Sequence, residues 1–179
     1  MSSGRHFRNL ALIGFMGTGK STVGRLLAEQ LKFDFLDTDF LIEQRCGKSI
    51  TEIFTQHSEA MFRQLETQLV AELAHRDRTV IATGGGLPIH PGNLESLKQH
   101  ALVVCLWASP ERIYERVRDQ SHRPLLQGTN PLDKIRTLLN EREPFYRRAD
   151  VLINSDFRPA REVAQQIVNQ FRLGPASPP

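Results

Sequence analysis

Eight residues near the start of the chain, Gly14-Phe15-Met16-Gly17-Thr18-Gly19-Lys20-Ser21, have the types and spacing of a phosphate cradle. Glycines at 14, 17 and 19 let the backbone close round an anion, where a Cβ would block the approach or forbid the positive φ values required. Backbone N–H groups over Gly17, Thr18, Gly19, Lys20, Ser21 and Thr22 then point inward, reinforced by the positive end of the helix that follows. Lys20 is placed to reach the β- and γ-phosphates, and the Ser21 hydroxyl to ligate Mg²⁺. The chain is expected to bind a nucleoside triphosphate.

Further along, Asp37 and Asp39 stand two residues apart after an apolar run, so their carboxylates can share a site. Beside Mg²⁺ and a triphosphate, one can hold a metal-bound water while the other accepts or orients the hydroxyl proton of a phosphoryl acceptor. Either Asp alone can equally be the cap of the helix expected from Phe40. Gly84-Gly85-Gly86 allows close backbone approach to a ligand, though a glycine run is also a common turn. Asp37 takes the place of the Mg²⁺-holding Asp that usually ends a neighbouring strand, since Thr83 stands there instead. Arg63 is followed three residues later by Glu66, which by itself reads as an intrahelical ion pair of about 0.3 kcal/mol. Arg123 lies in a polar, proline-broken stretch where closure of a lid can swing it onto phosphates and exclude water. Arg142 precedes Pro144, which is expected to break or kink a helix and turn the arginine toward the ligand crevice.

The elements that must carry these residues follow from apolar patterning. Strands are expected at 9–14, 33–36, 79–83, 101–107 and 151–153. Helices are expected at 21–31, 40–44, 50–54, 58–75, 91–99, 110–118, 131–148 and 159–173, several announced by Ser or Asn caps and prolines at their first residue. Alternating strands and helices predict an α/β three-layer sandwich with a central five-stranded parallel sheet. Ligands in such sheets lie beyond the carboxyl ends of the strands. That rule gathers the phosphate loop, Asp37 to Asp39, the glycine triplet and the arginine-rich segment at one edge. Residues 1–179 read as one kinase domain, with flexible tails at 1–8 and 174–179 and a mobile lid at about 119–130.

Composition agrees with a soluble globular chain: 179 residues, 40% hydrophobic and 24% charged, without a membrane-length apolar run or an apolar leader. Cys46 and Cys105 are expected as free thiols in a reducing cytoplasm. The net charge is only +3, but 18 of the 23 basic residues are arginines, the side chain suited to bidentate carboxylate and phosphate contacts. A small anionic substrate beside an anionic nucleotide suits this better than nucleic acid. A monomer with no nucleic-acid or membrane partner is expected. The histidines are scattered without metal spacing.

These residues in this order resemble the shikimate kinase family over about 9–172. The resemblance rests on the phosphate loop, Phe35-Leu36-Asp37-Thr38-Asp39, and Ile53-Phe54 with Glu59-x-x-Phe62-Arg63-x-x-Glu66. It continues through Thr83-Gly84-Gly85-Gly86, Arg123-Pro124-Leu125-Leu126 and Arg142-x-Pro144-x-Tyr146. It implies a fold like the phosphate-loop nucleoside-monophosphate kinases. It also implies transfer of the γ-phosphoryl of ATP to the 3-hydroxyl of shikimate, on the way to chorismate and the aromatic amino acids. By the same resemblance Asp39, Arg63, Arg142 and Gly84, Gly85 and Gly86 hold shikimate, the arginines gripping its carboxylate and Asp39 its ring hydroxyls. Ser21 ligates Mg²⁺ directly and Asp37 through water, Lys20 and Arg123 stabilise the moving phosphoryl, and Arg118 and Arg158 lie on the adenine side. The family usually has glycine where this chain has Ser58, which as a good cap should preserve the helix start. Another small-metabolite kinase, with gluconate or a nucleotide as acceptor, is the near alternative. A GTPase-like switch is disfavoured because Asn130-Pro131-Leu132-Asp133 lacks the lysine of a guanine-reading motif.

Overall fold

Five apolar runs assemble into one parallel sheet in the computed structural model, which describes residues 7–119 and 130–173. In chain order the strands are β1 (Asn9–Ile13), β2 (Asp34–Asp37), β3 (Thr79–Ala82), β4 (Ala101–Trp107) and β5 (Val151–Asn154). They lie side by side in the order β2-β3-β1-β4-β5, so β1 is central, with Leu12 level with Ala82 on one side and Val104 on the other. The crossovers are α1 (Lys20–Leu31), α2 (Thr38–Cys46), α3 (Ile50–Gln56), α4 (Glu59–Leu73), α5 (Asn93–His100), α6 (Pro110–Val117) and α7 (Pro131–Tyr146). The last helix is α8 (Ala160–Leu173).

Strand side chains alternate between faces, and here both faces are covered. Leu10, Leu12, Val104 and Leu106 pack on Val23 and Leu27 of α1 and Val163 and Ile167 of α8. Ala11, Ile13, Val103 and Cys105 point the other way, into a larger core shared with Phe62 and Leu69 of α4, Ile113 of α6 and Leu139 and Tyr146 of α7. These two cores make the three layers. They hold the strand tips, and hence every loop at the carboxyl edge, in fixed relation.

Local differences from the expected elements have local causes. The second helix starts at Thr38 rather than Phe40 because the Asp37 side chain accepts from the backbone N–H of Asp39 and Phe40 and caps it there. The helix expected at 91–99 is preceded by a 3₁₀ turn, Leu87–Ile89, and begins only after Gly92, which caps it at a φ of 85°. Pro144 does not end α7, which runs on to Tyr146. A proline that close to the C-terminus removes a single helical bond, and wholly buried Tyr146 anchors the last turn. Arg8, expected within a loose tail, is tied down: its N–H donates to His100 O and its carbonyl accepts from Arg78 N, both at 3.0 Å. Of the expected lid, residues 120–129, Arg123 among them, lie outside the described residues. Among the described residues no helix is long and apolar enough to cross a membrane.

Candidate active site

The turn between β1 and α1 takes the shape the sequence implies. Gly14, Gly17 and Gly19 all have positive φ, and a Cβ on Gly14 would stand 2.3 Å from the carbonyl oxygen of Leu106. Inside the turn the Lys20 ammonium donates to the carbonyls of Gly14 (2.9 Å) and Phe15 (2.8 Å), and the Thr18 hydroxyl donates to Phe15 O. Ser21 at the head of α1 donates its hydroxyl to Asp37 Oδ2 at 2.7 Å. Asp37 therefore does both things open to it: one oxygen caps α2, the other meets the phosphate loop. A cleft of about 950 Å³ runs along this side, lined by Gly17, Lys20, Ser21, Thr22, Asp37 and Asp39.

A second cleft of about 500 Å³ opens next to it, and Asp39, Arg63, Glu66, the three glycines and Arg142 all line it. The glycine triplet is fitted to its neighbours rather than merely flexible. A Cβ on Gly84 would lie 2.3 Å from Asp39 Oδ1, and one on Gly86 would lie 2.5 Å from Arg63 Nη1. Gly84 N also donates to the buried Thr38 hydroxyl, which fixes the turn against α2. Arg63 makes the expected pair with Glu66 at 2.7 Å and a second with Glu59 at 2.8 Å. The bland and the functional readings of Arg63 are thus compatible: the pairs orient its fork while its face lines the cleft. Arg142 lies over the ring of Phe15, 5.3 Å from its centroid, and so touches the phosphate loop from the acceptor side.

Electrostatics in the second cleft are uneven. Burial, aided by the charges of Asp37 and Glu66 and opposed by Lys20, pushes the Asp39 carboxyl up to about 7. Burial also raises Glu66, with Arg63 opposing it. Asp39 Oδ1 and Glu66 Oε1 are buried without a hydrogen-bond partner among the described residues. Two unsatisfied acceptors and two guanidinium groups in one cleft suit a ligand with hydroxyls and a carboxylate. Among the described residues no group of three or more His, Cys, Asp or Glu could hold a metal unaided. The Ser21–Asp37 pair supplies hard oxygen ligands of the kind Mg²⁺ uses when water and phosphate complete its shell.

A third cleft of about 320 Å³ lies on the far side of the phosphate loop, lined by Thr18, Thr22, Arg116, Ser155, Arg158 and Ala160 among others. Of the two arginines expected on the adenine side, Arg158 lines this cleft, bonded to Gln166. Arg118 does not line it; it sits beyond α6, mostly exposed and 3.8 Å from Asp119. Arg116 takes the inward place, donating to Gly17 O at 3.1 Å and Ser155 O at 2.6 Å. The signal for it was helical phase: Arg112 and Arg116 share a face of α6, and Arg118 follows its last turn. Ser155 was also missed, though its hydroxyl donates to Thr18 O and so holds the loop to β5.

Comparison with known proteins agrees with this geometry. The family described as shikimate kinase matches residues 16–172. A shikimate kinase from Synechococcus is 48% identical over 170 residues, covering 92% of this chain and 89% of its own. One from Thermodesulfovibrio yellowstonii is 42% identical over 164 residues, covering 92% of this chain and 95% of its own. The structure of the Acinetobacter baumannii shikimate kinase in complex with shikimate superposes with a TM-score of 0.87 at 43% identity, covering 92% of this chain and 93% of that one. Similarity of that extent covers nine-tenths of the chain, and this chain belongs to the shikimate kinase family.

Proposed function

We propose that the cleft beyond β3 binds shikimate and that the chain transfers the γ-phosphoryl of ATP to its 3-hydroxyl, giving shikimate 3-phosphate and ADP. The observation that carries the site assignment is the meeting of Arg63, Arg142 and two unpartnered carboxylate oxygens in one cleft beside the phosphate loop. Arg63 and Arg142 grip the substrate carboxylate, and the glycine triplet admits the ring close to the backbone. Asp39 orients the 3-hydroxyl and takes its proton as the oxygen attacks the γ-phosphorus and the bond to the β–γ bridging oxygen breaks. Lys20, freed from the loop carbonyls it now bonds, turns to the β- and γ-phosphates. Arg123, outside the described residues, covers the phosphates from the lid side, and Arg116 and Arg158 line the adenine side. Ser21 directly and Asp37 through water would hold Mg²⁺, which supplies neutralisation of phosphate charge when bound. Most of the rate gain is then positioning and charge stabilisation.

On this reading the chain works in a reducing cytoplasm on a free metabolite, supported by its two free thiols, one of them, Cys105, pushed up to about 12 by burial and so unreactive. ADP release measured with ATP and Mg²⁺ over a panel of acceptors tests it. Turnover with shikimate and none with gluconate or nucleoside monophosphates is expected; the reverse pattern would sink it.

A further inference from the structure

Tyr146 belongs to the Arg142-x-Pro144-x-Tyr146 motif, yet neither grip nor proton transfer uses it. It is the largest of the wholly buried side chains, and a tyrosine placed only to fill a core would be a phenylalanine, because a buried hydroxyl needs a partner. Its hydroxyl donates to the carbonyl of Gly85, the middle residue of the triplet, at 2.7 Å. Arg142 lies one helical turn earlier on α7, on the same face. The charge of its guanidinium acts on the same hydroxyl, against the effect of burial, and its Nη1 comes within 3.4 Å of where a Cβ on Gly85 would be. The phenol therefore sits between the two halves of the acceptor site, beside the arginine and donating to the glycine turn.

We propose that Tyr146 is a positioning residue for the substrate carboxylate: its hydroxyl couples the Arg142 fork to the Gly85 peptide, so that both face the cleft in one arrangement. Resting on the reading of that cleft as the shikimate site, the inference adds what sets its geometry. Two features of the chain support it. Pro144 leaves the last turn of α7 one hydrogen bond short, and the Tyr146 hydroxyl ties that turn to Gly85 instead. Without it, Arg142 keeps the face of Phe15 and the charge of Glu66, which hold a guanidinium in distance but leave it free to rotate over the ring.

The test is a double-mutant cycle on the full chain, read by calorimetric titration of shikimate and, separately, of ADP with Mg²⁺. Tyr146→Phe is expected to weaken shikimate about tenfold, as loss of a hydrogen bond that strands its partner carbonyl would, and to leave ADP binding unchanged. In an Arg142→Ala background the same Tyr146→Phe step should be at least about threefold smaller, because the group it positions is gone. Equal steps in the two backgrounds, or a Tyr146→Phe protein that binds shikimate like wild type, would overturn the coupling. So would parallel losses of shikimate and ADP affinity, which mark a merely structural residue. Failure of the wild-type chain to bind shikimate would instead refute the reading of the cleft. If Tyr146→Phe is too unstable to purify, 3-fluorotyrosine in a Tyr114→Phe background leaves position 146 as the sole tyrosine. It keeps the ring while making the hydroxyl more acidic and so changing its bond to Gly85; unchanged shikimate affinity there would overturn the proposal equally.

Discussion

Asp39 is pulled in two directions. Burial and the charges of Asp37 and Glu66 lift its carboxyl to about 7, while Lys20 acts against them. A carboxyl with that proton affinity is ionised in a good share of molecules at neutral pH, yet basic enough to take a hydroxyl proton. With the charged form required, kcat/KM for shikimate is expected to rise as pH increases through about 7 and then level off. A profile flat between about pH 6 and 8 would remove Asp39 from that role. Stability carries the opposite sign. A carboxyl held above its ordinary 3.8 in the fold contributes stability that is complete below 3.8 and lost as pH rises through about 7. Asp39→Asn should therefore cut turnover by about 10²-fold or more while raising the melting temperature at about pH 8 and not at about pH 4.

At the level of elements, the acceptor cleft depends on how α3 and α4 are started. Ser49 and Glu52 form a reciprocal capping box at the head of α3, and the Ser58 hydroxyl accepts from Met61 N at the head of α4. Where the family usually has glycine, Ser58 has φ −164° and ψ 162°, extended backbone that any residue adopts, so no freedom special to glycine is in use. Ser58→Gly is expected to cost a few tenths of a kcal/mol and Ser58→Ala about 1 kcal/mol in urea denaturation. Neither should move KM for shikimate, and a several-fold change in KM would show that the corner shapes the cleft directly. Such caps, with the short apolar strands, were what the sequence made legible, because Ser, Asn, Pro and Gly act on their own backbone. The convergence of the phosphate loop, Asp37, Asp39 and the triplet was legible too, since parallel strands deliver their loops to one edge, whereas Arg63, on α4, was placed there only by the resemblance. Arg116 and the tie from Tyr146 were not. Each depends on a partner many residues away, Gly17 and Gly85, and on the helical phase that aims it. Pro144, expected to break or kink the helix, does not break it, because that effect depends on its distance from the helix end, which patterning places only within a few residues; Arg142 does face the cleft.

Across the whole molecule, catalysis and cohesion occupy opposite ends of the sheet. The clefts lie at the carboxyl ends of the strands, whereas the amino ends are closed by Asn9, the wholly buried first residue of β1. Its side chain donates to Arg76 O (2.6 Å) and His100 Nδ1 (2.9 Å) and accepts from Thr79 N (2.9 Å), joining the starts of β1, β3 and β4. An amide nitrogen only donates, so Nδ1 must be the bare nitrogen of His100 and its proton sits on Nε2. Protonating Nδ1 would break this contact. Burial, then the Arg8 charge, hold the ring below its ordinary 6.5, with Asp77 opposing. A histidine whose folded value is lowered contributes stability that is present above 6.5 and lost as pH falls through the lowered value, because the unfolded chain takes the proton first. Carboxylates also weaken the fold in acid, so the decisive quantity is a difference in slope. Urea midpoints of wild type should fall more steeply between about pH 6.5 and 5 than those of His100→Gln, whose amide does not titrate; equal slopes would clear His100. Asn9→Ala strands three polar partners in the interior and should lower stability by about 2–4 kcal/mol. Arg76 alone of these residues lines a cleft, the first, and Asn9 holds it only by its carbonyl, so the folded fraction of that variant should keep wild-type KM values for both substrates, and a rise in either would mean that strain at the closed end of the sheet reaches the strand tips where the ligands bind.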